Sequence, residues 1–121
     1  MKTVLLVDDS PTILLSMSSV LTQAGYASVQ APNAAAALAK LKFTKPDLVI
    51  TDLNMPGMDG IELIRNIRKL PGLRFVPILM LTTESQPEKR AEARAAGATG
   101  WLVKPVLGDD LVKVLEKVVP R

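Results

Sequence analysis

The chain has 121 residues, a mass of 13.0 kDa, a formal net charge of +3 at pH 7 and 48% hydrophobic residues. This length predicts a single domain, and no apolar stretch approaches the roughly 20 residues that span a bilayer. The sequence contains neither cysteine nor histidine, which excludes disulfides, thiol chemistry, a histidine base and most zinc sites. We therefore expect a cytoplasmic protein without a membrane partner, whose chemistry uses carboxylates, hydroxyls and lysines.

The first half of the chain predicts two strands, each followed by a helix. In chain order these are Thr3–Val7, a helix that begins at Pro11, the strand Ala27–Ala31 and the alanine-rich helix Ala34–Leu41. Ser10 is the expected N-cap of the first helix, and Gly25 marks its end. Residues at helical spacing define the apolar face of this helix: Ile13, Met17, Val20, Leu21 and Ala24.

The second half repeats this pattern three times. In chain order it predicts the strand Leu48–Thr51, a helix between Asp59-Gly60 and Leu70-Pro71-Gly72, the strand Val76–Thr82, a helix from about Pro87 to Ala96, the strand Gly100–Val103 and a helix from Asp109 to Val119. Strands that are apolar on both faces are typical of a parallel sheet covered by helices on both sides. The sequence therefore predicts an α/β fold, a (βα)5 doubly wound five-stranded parallel sheet. We expect one domain over residues 1–121, with no output domain.

Polar side chains follow four of the predicted strands, where ligands of open α/β sheets bind. Asp8 and Asp9 follow the first strand, Asp52 the third, Thr82 ends the fourth and Lys104 follows the fifth. Each of these residues alone has an ordinary interpretation as a helix cap, a turn residue or a surface charge. Together, carboxylates about 5 Å apart repel by roughly 3 kcal/mol at an effective dielectric constant of about 20, unless a cation is bound. The cluster predicts a metal site.

Oxygen ligands without histidine or cysteine favour a hard cation, and a few carboxylates with open positions favour Mg²⁺ over Ca²⁺. The sequence contains no Walker loop and no G-x-G-x-x-G motif, so nothing supports nucleotide binding. With Mg²⁺ bound, one aspartate can attack a phosphoryl group while Lys104 and Thr82 contact its oxygens. The positive residues are scattered and aromatic residues make up only 3% of the chain, so we do not expect direct nucleic-acid binding.

The chain closely resembles response-regulator receiver domains, most of all the single-domain, CheY-like chemotaxis regulators. The resemblance rests on Asp8-Asp9, "DLNMPGMDG" after the third strand, "LTTE" at the fourth and "GWLVKP" at the fifth, and it extends over essentially all of the chain. The resemblance implies a flavodoxin-like fold with strand order 2-1-3-4-5, which is the order that CheY illustrates for this fold.

The resemblance also implies a role for each site residue. Asp52 would be the phospho-acceptor, and Asp9, Asp52 and the backbone carbonyl of Asn54 would bind Mg²⁺, with Asp8 assisting through water. Lys104 and Thr82 would bind the phosphoryl oxygens. The remaining implied roles are a Thr82–Trp101 switch, tuning of dephosphorylation by Asn54 and Glu84, and a cis peptide bond before Pro105.

Two positions depart from the commonest pattern of the family. Trp101 replaces the usual tyrosine or phenylalanine, and its bulk opposes complete inward burial. Thr83 replaces a residue that is usually smaller, which narrows access to Asp52.

The expected partners are a sensor histidine kinase, here a chemotaxis kinase, and an effector such as a flagellar motor switch component. Leu15 on the first helix, beside Pro105 and Val106, is the expected docking site for the kinase. Basic residues of the fourth and fifth helices are expected to meet an acidic effector segment: Lys89, Arg90, Arg94, Lys113 and Lys117. The alternatives are a phosphate sink, the receiver of a transcription regulator or a Mg²⁺-dependent phosphohydrolase, although a phosphohydrolase would need an acid where Asn54 stands.

Overall fold

The computed structural model describes residues 1–83 and 87–120. Five strands alternate with five helices within these ranges, so the predicted order is confirmed. The elements are β1 (Thr3–Val7), α1 (Pro11–Gln23), β2 (Ala27–Ala31), α2 (Ala34–Leu41), β3 (Leu48–Asp52), α3 (Gly60–Arg68), β4 (Ile78–Thr82), α4 (Pro87–Ala96), β5 (Gly100–Val103) and α5 (Gly108–Val118). None of the helices in the described ranges has the length and apolar character that crossing a bilayer requires.

The strands form one parallel sheet in the order β2-β1-β3-β4-β5, as the resemblance implied. The sheet separates two buried cores, because alternate side chains of each strand point to opposite faces. Leu5, Val49 and Met80 pack on the face covered by α2, α3 and α4. Leu6 and Ile50 pack on the opposite face, which α1 and α5 cover. The chain therefore has the doubly wound fold that the sequence predicts.

Polar side chains fix where three of the helices begin. Ser10, Asn33 and Asp59 are the N-caps of α1, α2 and α3, and each side chain accepts a hydrogen bond from a backbone N–H in the first turn. Such a bond satisfies one of the amide groups that the start of a helix leaves without a partner. Gly25, with φ of 93°, follows the C-cap of α1 and allows the chain to turn there.

Several details differ from the sequence prediction. β3 includes Asp52, and α5 spans Gly108–Val118 instead of Asp109 to Val119. The strand predicted from Val76 begins at Ile78 instead, since Pro77 has no N–H to donate to a neighbouring strand. In α1, Leu14 is buried although the predicted apolar face omits it, and Ile13 lies at the margin of the core. The face of α1 is therefore rotated slightly from the predicted one.

Candidate functional site

The carboxyl ends of four strands bring the predicted site residues to one edge of the sheet. Asp8 directly follows β1, Asp52 is the last residue of β3, Thr82 is the last residue of β4 and Lys104 directly follows β5. The strands are parallel and in register, with Val7 beside Thr51 and Thr82 beside Val103. The fold thus brings together side chains that lie far apart in sequence.

Three carboxylates converge at this edge. Each of Asp8, Asp9 and Asp52 offers one carboxylate oxygen, and these atoms all lie within 4.8 Å of one another. Asp8 and Asp52 are buried, with exposed fractions of 1% and 5%, whereas Asp9 is exposed. The group has one open side, from which a ligand or a solvated ion reaches it.

Lys104 provides a positive charge beside the two buried carboxylates. Its Nζ lies 3.1 Å from Asp8 Oδ2 and 3.1 Å from Asp52 Oδ1. The Lys104 N–H donates to the carbonyl of Thr82 at 2.8 Å. The peptide bond between Lys104 and Pro105 is cis. One ammonium therefore bridges the end of β1 and the end of β3.

Opposing electrostatic effects act on this pair. Burial raises the pKa of the Asp52 carboxyl, and the charge of Asp8 raises it further, against the opposing effect of Lys104. Burial lowers the pKa of the Lys104 ammonium, but its hydrogen bonds to Asp8 and Asp52 outweigh that effect and the pKa is raised. Lys104 therefore stays protonated at neutral pH, while the negative charge of Asp52 is left only partly compensated.

The segment after β3 contacts the backbone of Asp52 closely. Gly60 begins α3, and its N–H donates to the carbonyl of Leu53 at 2.9 Å. A Cβ atom at Gly60 would lie 2.3 Å from the Asp52 carbonyl oxygen and 3.0 Å from Met80 Sδ. Only glycine fits there. Asn54 lies in the same segment and is exposed.

Trp101 lies two strands away from Asp52. Leu81 of β4 pairs with both Asp52 and Leu102, the neighbour of Trp101, so the separation is about 10 Å. The indole is half-buried, and the guanidinium carbons of Arg90 and Arg94 lie 4.5 Å and 5.3 Å from its ring centre. These distances fall within the range of cation–π contacts.

A cavity of about 10 Å³ lies between α4 and the sheet, and both Thr82 and Trp101 line it. This volume holds about one water molecule and is far too small for an indole. Thr82 itself is buried. Inward rotation of Trp101 therefore requires Thr82 or its neighbours to shift first.

A surface groove of about 410 Å³ adjoins Lys104 on the side of α1. Its lining residues include Ile13, Met17, Thr83, Pro105 and Val106. Leu15, on the same helix, is 71% exposed. A largely apolar groove thus extends from Lys104 along α1, and Leu15 is not among the residues that line it.

The sequence predicts the aspartate cluster, but it does not predict the close approach of Gly60 to Asp52 or the stacking of two arginines on Trp101. The close approach of Gly60 has only a weak signal in the sequence, because Asp59-Gly60 is also an ordinary start of a helix. The stacking of Arg90 and Arg94 on Trp101 has no signal in the sequence, because it depends on how α4 packs beside β5. Glu84, the second residue expected to tune dephosphorylation, lies outside the described residues.

Comparison with known proteins identifies the family. The model of the response regulator receiver domain matches residues 4–116. Chemotaxis protein CheY-3 of Vibrio cholerae serotype O1 is 40% identical over 119 residues, which cover 98% of this chain and 92% of that protein. The structure of chemotaxis protein CheY4 of Vibrio cholerae is 46% identical with a TM-score of 0.96, and the match covers 98% of this chain and 99% of that one.

A third relative carries a metal ion. The receiver domain of a sensor histidine kinase from Pseudomonas aeruginosa PAO1, with magnesium coordinated in its active site cleft, is 26% identical with a TM-score of 0.89. That match covers 99% of this chain and 98% of the other. The chain belongs to the response regulator receiver domain family. It is a homologue of the CheY proteins, and receiver domains of this type are regulators.

Proposed function

We propose that this receiver accepts a phosphoryl group on Asp52 from a sensor histidine kinase and transmits the signal to an effector, in a chemotaxis system. The observation that carries the proposal is the Asp52 carboxylate, which lies 3.1 Å from the Lys104 ammonium inside a cluster of three aspartates. The names of the CheY relatives support the chemotaxis setting. The chain assists its own phosphorylation and dephosphorylation, and it does not turn over a separate substrate.

In the proposed transfer, an oxygen of the Asp52 carboxylate attacks phosphorus. The bond from phosphorus to the histidine nitrogen of the kinase breaks, and an acyl phosphate forms on Asp52. The Lys104 ammonium, which contacts Asp52 Oδ1 before the transfer, then pairs with a phosphoryl oxygen. Thr82, at the end of the neighbouring strand, donates its hydroxyl to a second oxygen.

The residues of the cluster fit a hard cation, because three carboxylate oxygens converge within 4.8 Å with no nitrogen or sulfur ligand among them. Mg²⁺ held by Asp9, Asp52 and the carbonyl of Asn54, with Asp8 assisting through water, would neutralise charge on the phosphoryl oxygens. Asn54 and Glu84 would tune the later attack of water on the acyl phosphate.

The test of this function is phosphorylation by a small donor. Incubation of the chain with acetyl phosphate and Mg²⁺ is expected to add one phosphoryl group, a mass increase of about 80 Da by intact mass spectrometry. Chelation of Mg²⁺ with EDTA is expected to prevent it. If the mass is unchanged with Mg²⁺, or increases equally after chelation, the proposed function is wrong.

Charge repulsion in the metal-free cluster gives a second prediction. Asp9→Asn removes one of three clustered charges, so we expect it to raise the melting temperature without metal by roughly 2–5 °C. Millimolar Mg²⁺ is expected to stabilise the wild type more than the variant, because binding to the folded state adds to stability. Scanning calorimetry measures both effects. Asp109→Asn, which removes an exposed acid on α5, is the matched control. If both variants show the same change in melting temperature and the same stabilisation by Mg²⁺, Asp9 is not part of the metal site.

We further propose that Thr82 and Trp101 form the switch. Movement of Thr82 towards a phosphoryl oxygen would enlarge the small cavity that it shares with Trp101. The indole would then leave the guanidinium groups of Arg90 and Arg94 and turn inward. Burial of about 50 Å² of ring contributes roughly 1.3 kcal/mol, enough to change a two-state population about ninefold.

Trp101 is the only tryptophan, so its fluorescence reports this switch directly. Beryllofluoride with Mg²⁺ mimics the phosphorylated state, and we expect it to change Trp101 emission in the wild type. Thr82→Ala is expected to weaken the change, whereas Thr83→Ala, the exposed neighbour, should retain it. An unchanged spectrum in a protein that has bound beryllofluoride would show that the signal leaves the site by another route.

The partner surfaces are also proposals. The groove beside Lys104, together with the exposed Leu15 of α1, would receive the phosphotransfer helix of the kinase. The outer surfaces of α4 and α5 carry the basic residues expected to meet an acidic effector segment: Lys89, Arg90, Arg94, Lys113 and Lys117. Trp101 lies beside two of these arginines, so a change in its orientation would alter the surface that the effector contacts.

A further inference from the structure

Two loops at the amino-terminal edge of the sheet carry the only phenylalanines of the chain. Residues 42–47 lead from α2 into β3, and residues 69–77 lead from α3 into β4. These strands are parallel neighbours, so both loops lie at the edge opposite to the aspartate cluster. Phe43 is 90% exposed and Phe75 is 88% exposed. Two large apolar side chains therefore project into solvent from the same end of the molecule.

Positive charge surrounds both rings. The residues of this basic–aromatic surface are Lys40, Lys42, Phe43, Lys45, Lys69, Arg74 and Phe75, and all of them are exposed. The two loops contain a single acid, Asp47, whose Oδ2 accepts a hydrogen bond from the Thr3 N–H at 2.8 Å. Five cations and two apolar rings thus share one surface.

The fold holds this surface in place. The Phe43 N–H donates to the carbonyl of Lys40 at 3.0 Å. The Arg68 guanidinium donates to the carbonyls of Leu73 and Val76, on either side of Phe75. The side chain of Lys45 lies against Gly72 and joins the two loops. Both rings are therefore presented on anchored backbone.

The charge of the surface decides which occupant fits it. A second copy of the chain would place five cations against five, so self-association through this surface is opposed by repulsion. The partner must be anionic, and it must also accept two rings that stand almost free of the protein. A protein partner would need a separate apolar pocket to bury each ring, whereas the acyl chains of a lipid layer surround any apolar group that inserts into them.

We propose that the basic–aromatic surface docks on an anionic phospholipid bilayer, with Phe43 and Phe75 inserted among the acyl chains and the lysines at the headgroups. Lysine and arginine near an anionic leaflet each contribute attraction that falls off within a Debye length. Interfacial binding requires no spanning segment, so the lack of a long apolar run in the sequence is no argument against this mode of binding. The absence of a membrane partner expected from the sequence therefore applies to spanning segments alone.

The docked orientation leaves the aspartate cluster in water. A strand of five residues is about 16 Å long, and the cluster lies beyond its far end. A bilayer at the Phe43 and Phe75 edge would therefore not cover Asp52 or the groove along α1. The proposal does not depend on phosphorylation, and it stands or fails separately from the function proposed above.

Sedimentation with vesicles tests the proposal on the full chain. Vesicles with about 30% phosphatidylglycerol in phosphatidylcholine are expected to bind the protein roughly tenfold more tightly than pure phosphatidylcholine at low salt. The double variant Phe43→Ser/Phe75→Ser is expected to lose at least about fivefold of that affinity. Leu15→Ser, an exposed apolar residue on α1, is the matched control and should bind as the wild type does. Circular dichroism melting checks that all three proteins are folded.

Insertion has a separate readout that does not depend on the double variant. In Phe75→Trp, brominated lipid is expected to quench the new tryptophan, whereas Trp101 in the wild type should not be quenched. Absence of vesicle binding, equal binding of the double variant, or a variant tryptophan that is not quenched would each overturn the proposal. Binding to soluble polyglutamate without binding to vesicles would also overturn it and would assign the surface to an acidic protein segment.

Discussion

Asp52→Asn is expected to abolish phosphorylation by acetyl phosphate. The amide keeps the volume of the side chain but removes the negative oxygen that attacks phosphorus. Both oxygens of Asp8 are engaged, Oδ1 by the Ser10 N–H at 2.9 Å and Oδ2 by the Lys104 ammonium at 3.1 Å, and Asp9 is exposed at the open side of the cluster, so we expect neither to replace Asp52. Intact mass spectrometry under the conditions that phosphorylate the wild type measures the result, with Asp109→Asn on α5 as the control.

The same variant has a second expected effect. Burial and the charge of Asp8 raise the pKa of Asp52, so the ionised carboxylate destabilises the folded protein at neutral pH. Its neutralisation is therefore expected to increase the melting temperature in the absence of metal. A variant that is still phosphorylated, or that melts below the wild type although it is folded, would contradict this description of the site.

Gly60→Ala is expected to produce the largest loss of stability from a single methyl group. The added Cβ would meet the carbonyl oxygen of Asp52 at 2.3 Å, and backbone cannot yield as a flexible side chain does. We expect a loss of about 2–3 kcal/mol in the free energy of unfolding and a fall of roughly 10 °C in melting temperature. Displacement of Asp52 from Lys104 by about 1 Å would also slow phosphorylation by up to roughly 100-fold.

Gly108→Ala is the matched control for this prediction. Gly108 also begins a helix, but a Cβ there would meet Val20 Cγ2 at 3.6 Å, which is an ordinary contact. Calorimetry is expected to show an unchanged or slightly higher melting temperature for this variant, because alanine favours helices. If Gly60→Ala melts like Gly108→Ala, the backbone of Asp52 is not confined as the structure indicates.

Much of the fold could be predicted because local signals agree with the final packing. Ser10 before Pro11 marks the start of α1, and runs such as Leu48-Val49-Ile50 are apolar on both faces, as buried parallel strands are. The edge that holds Asp8, Asp52 and Lys104 follows from these elements, because parallel strands end on the same side. The strand order came from the family resemblance.

Other features depend on contacts that no local pattern encodes. The hydrogen bonds of Arg68 to three separate carbonyls, and the stacking of Arg90 on Trp101, arise only after helices pack beside the sheet. The exposure of Phe43 and Phe75 likewise depends on the loops' final course. Sequence patterns suggest burial for phenylalanine, and only the structure shows both rings in solvent.

The most direct test of the proposed phosphorylation is to locate the modified residue. Borohydride reduces an aspartyl phosphate to homoserine, and trypsin then releases residues 43–65, which contain Asp47, Asp52 and Asp59. Fragmentation by mass spectrometry is expected to place the homoserine at residue 52. Homoserine at residue 8 or 9, or at another position of this peptide, would contradict the assignment of Asp52 as the phospho-acceptor.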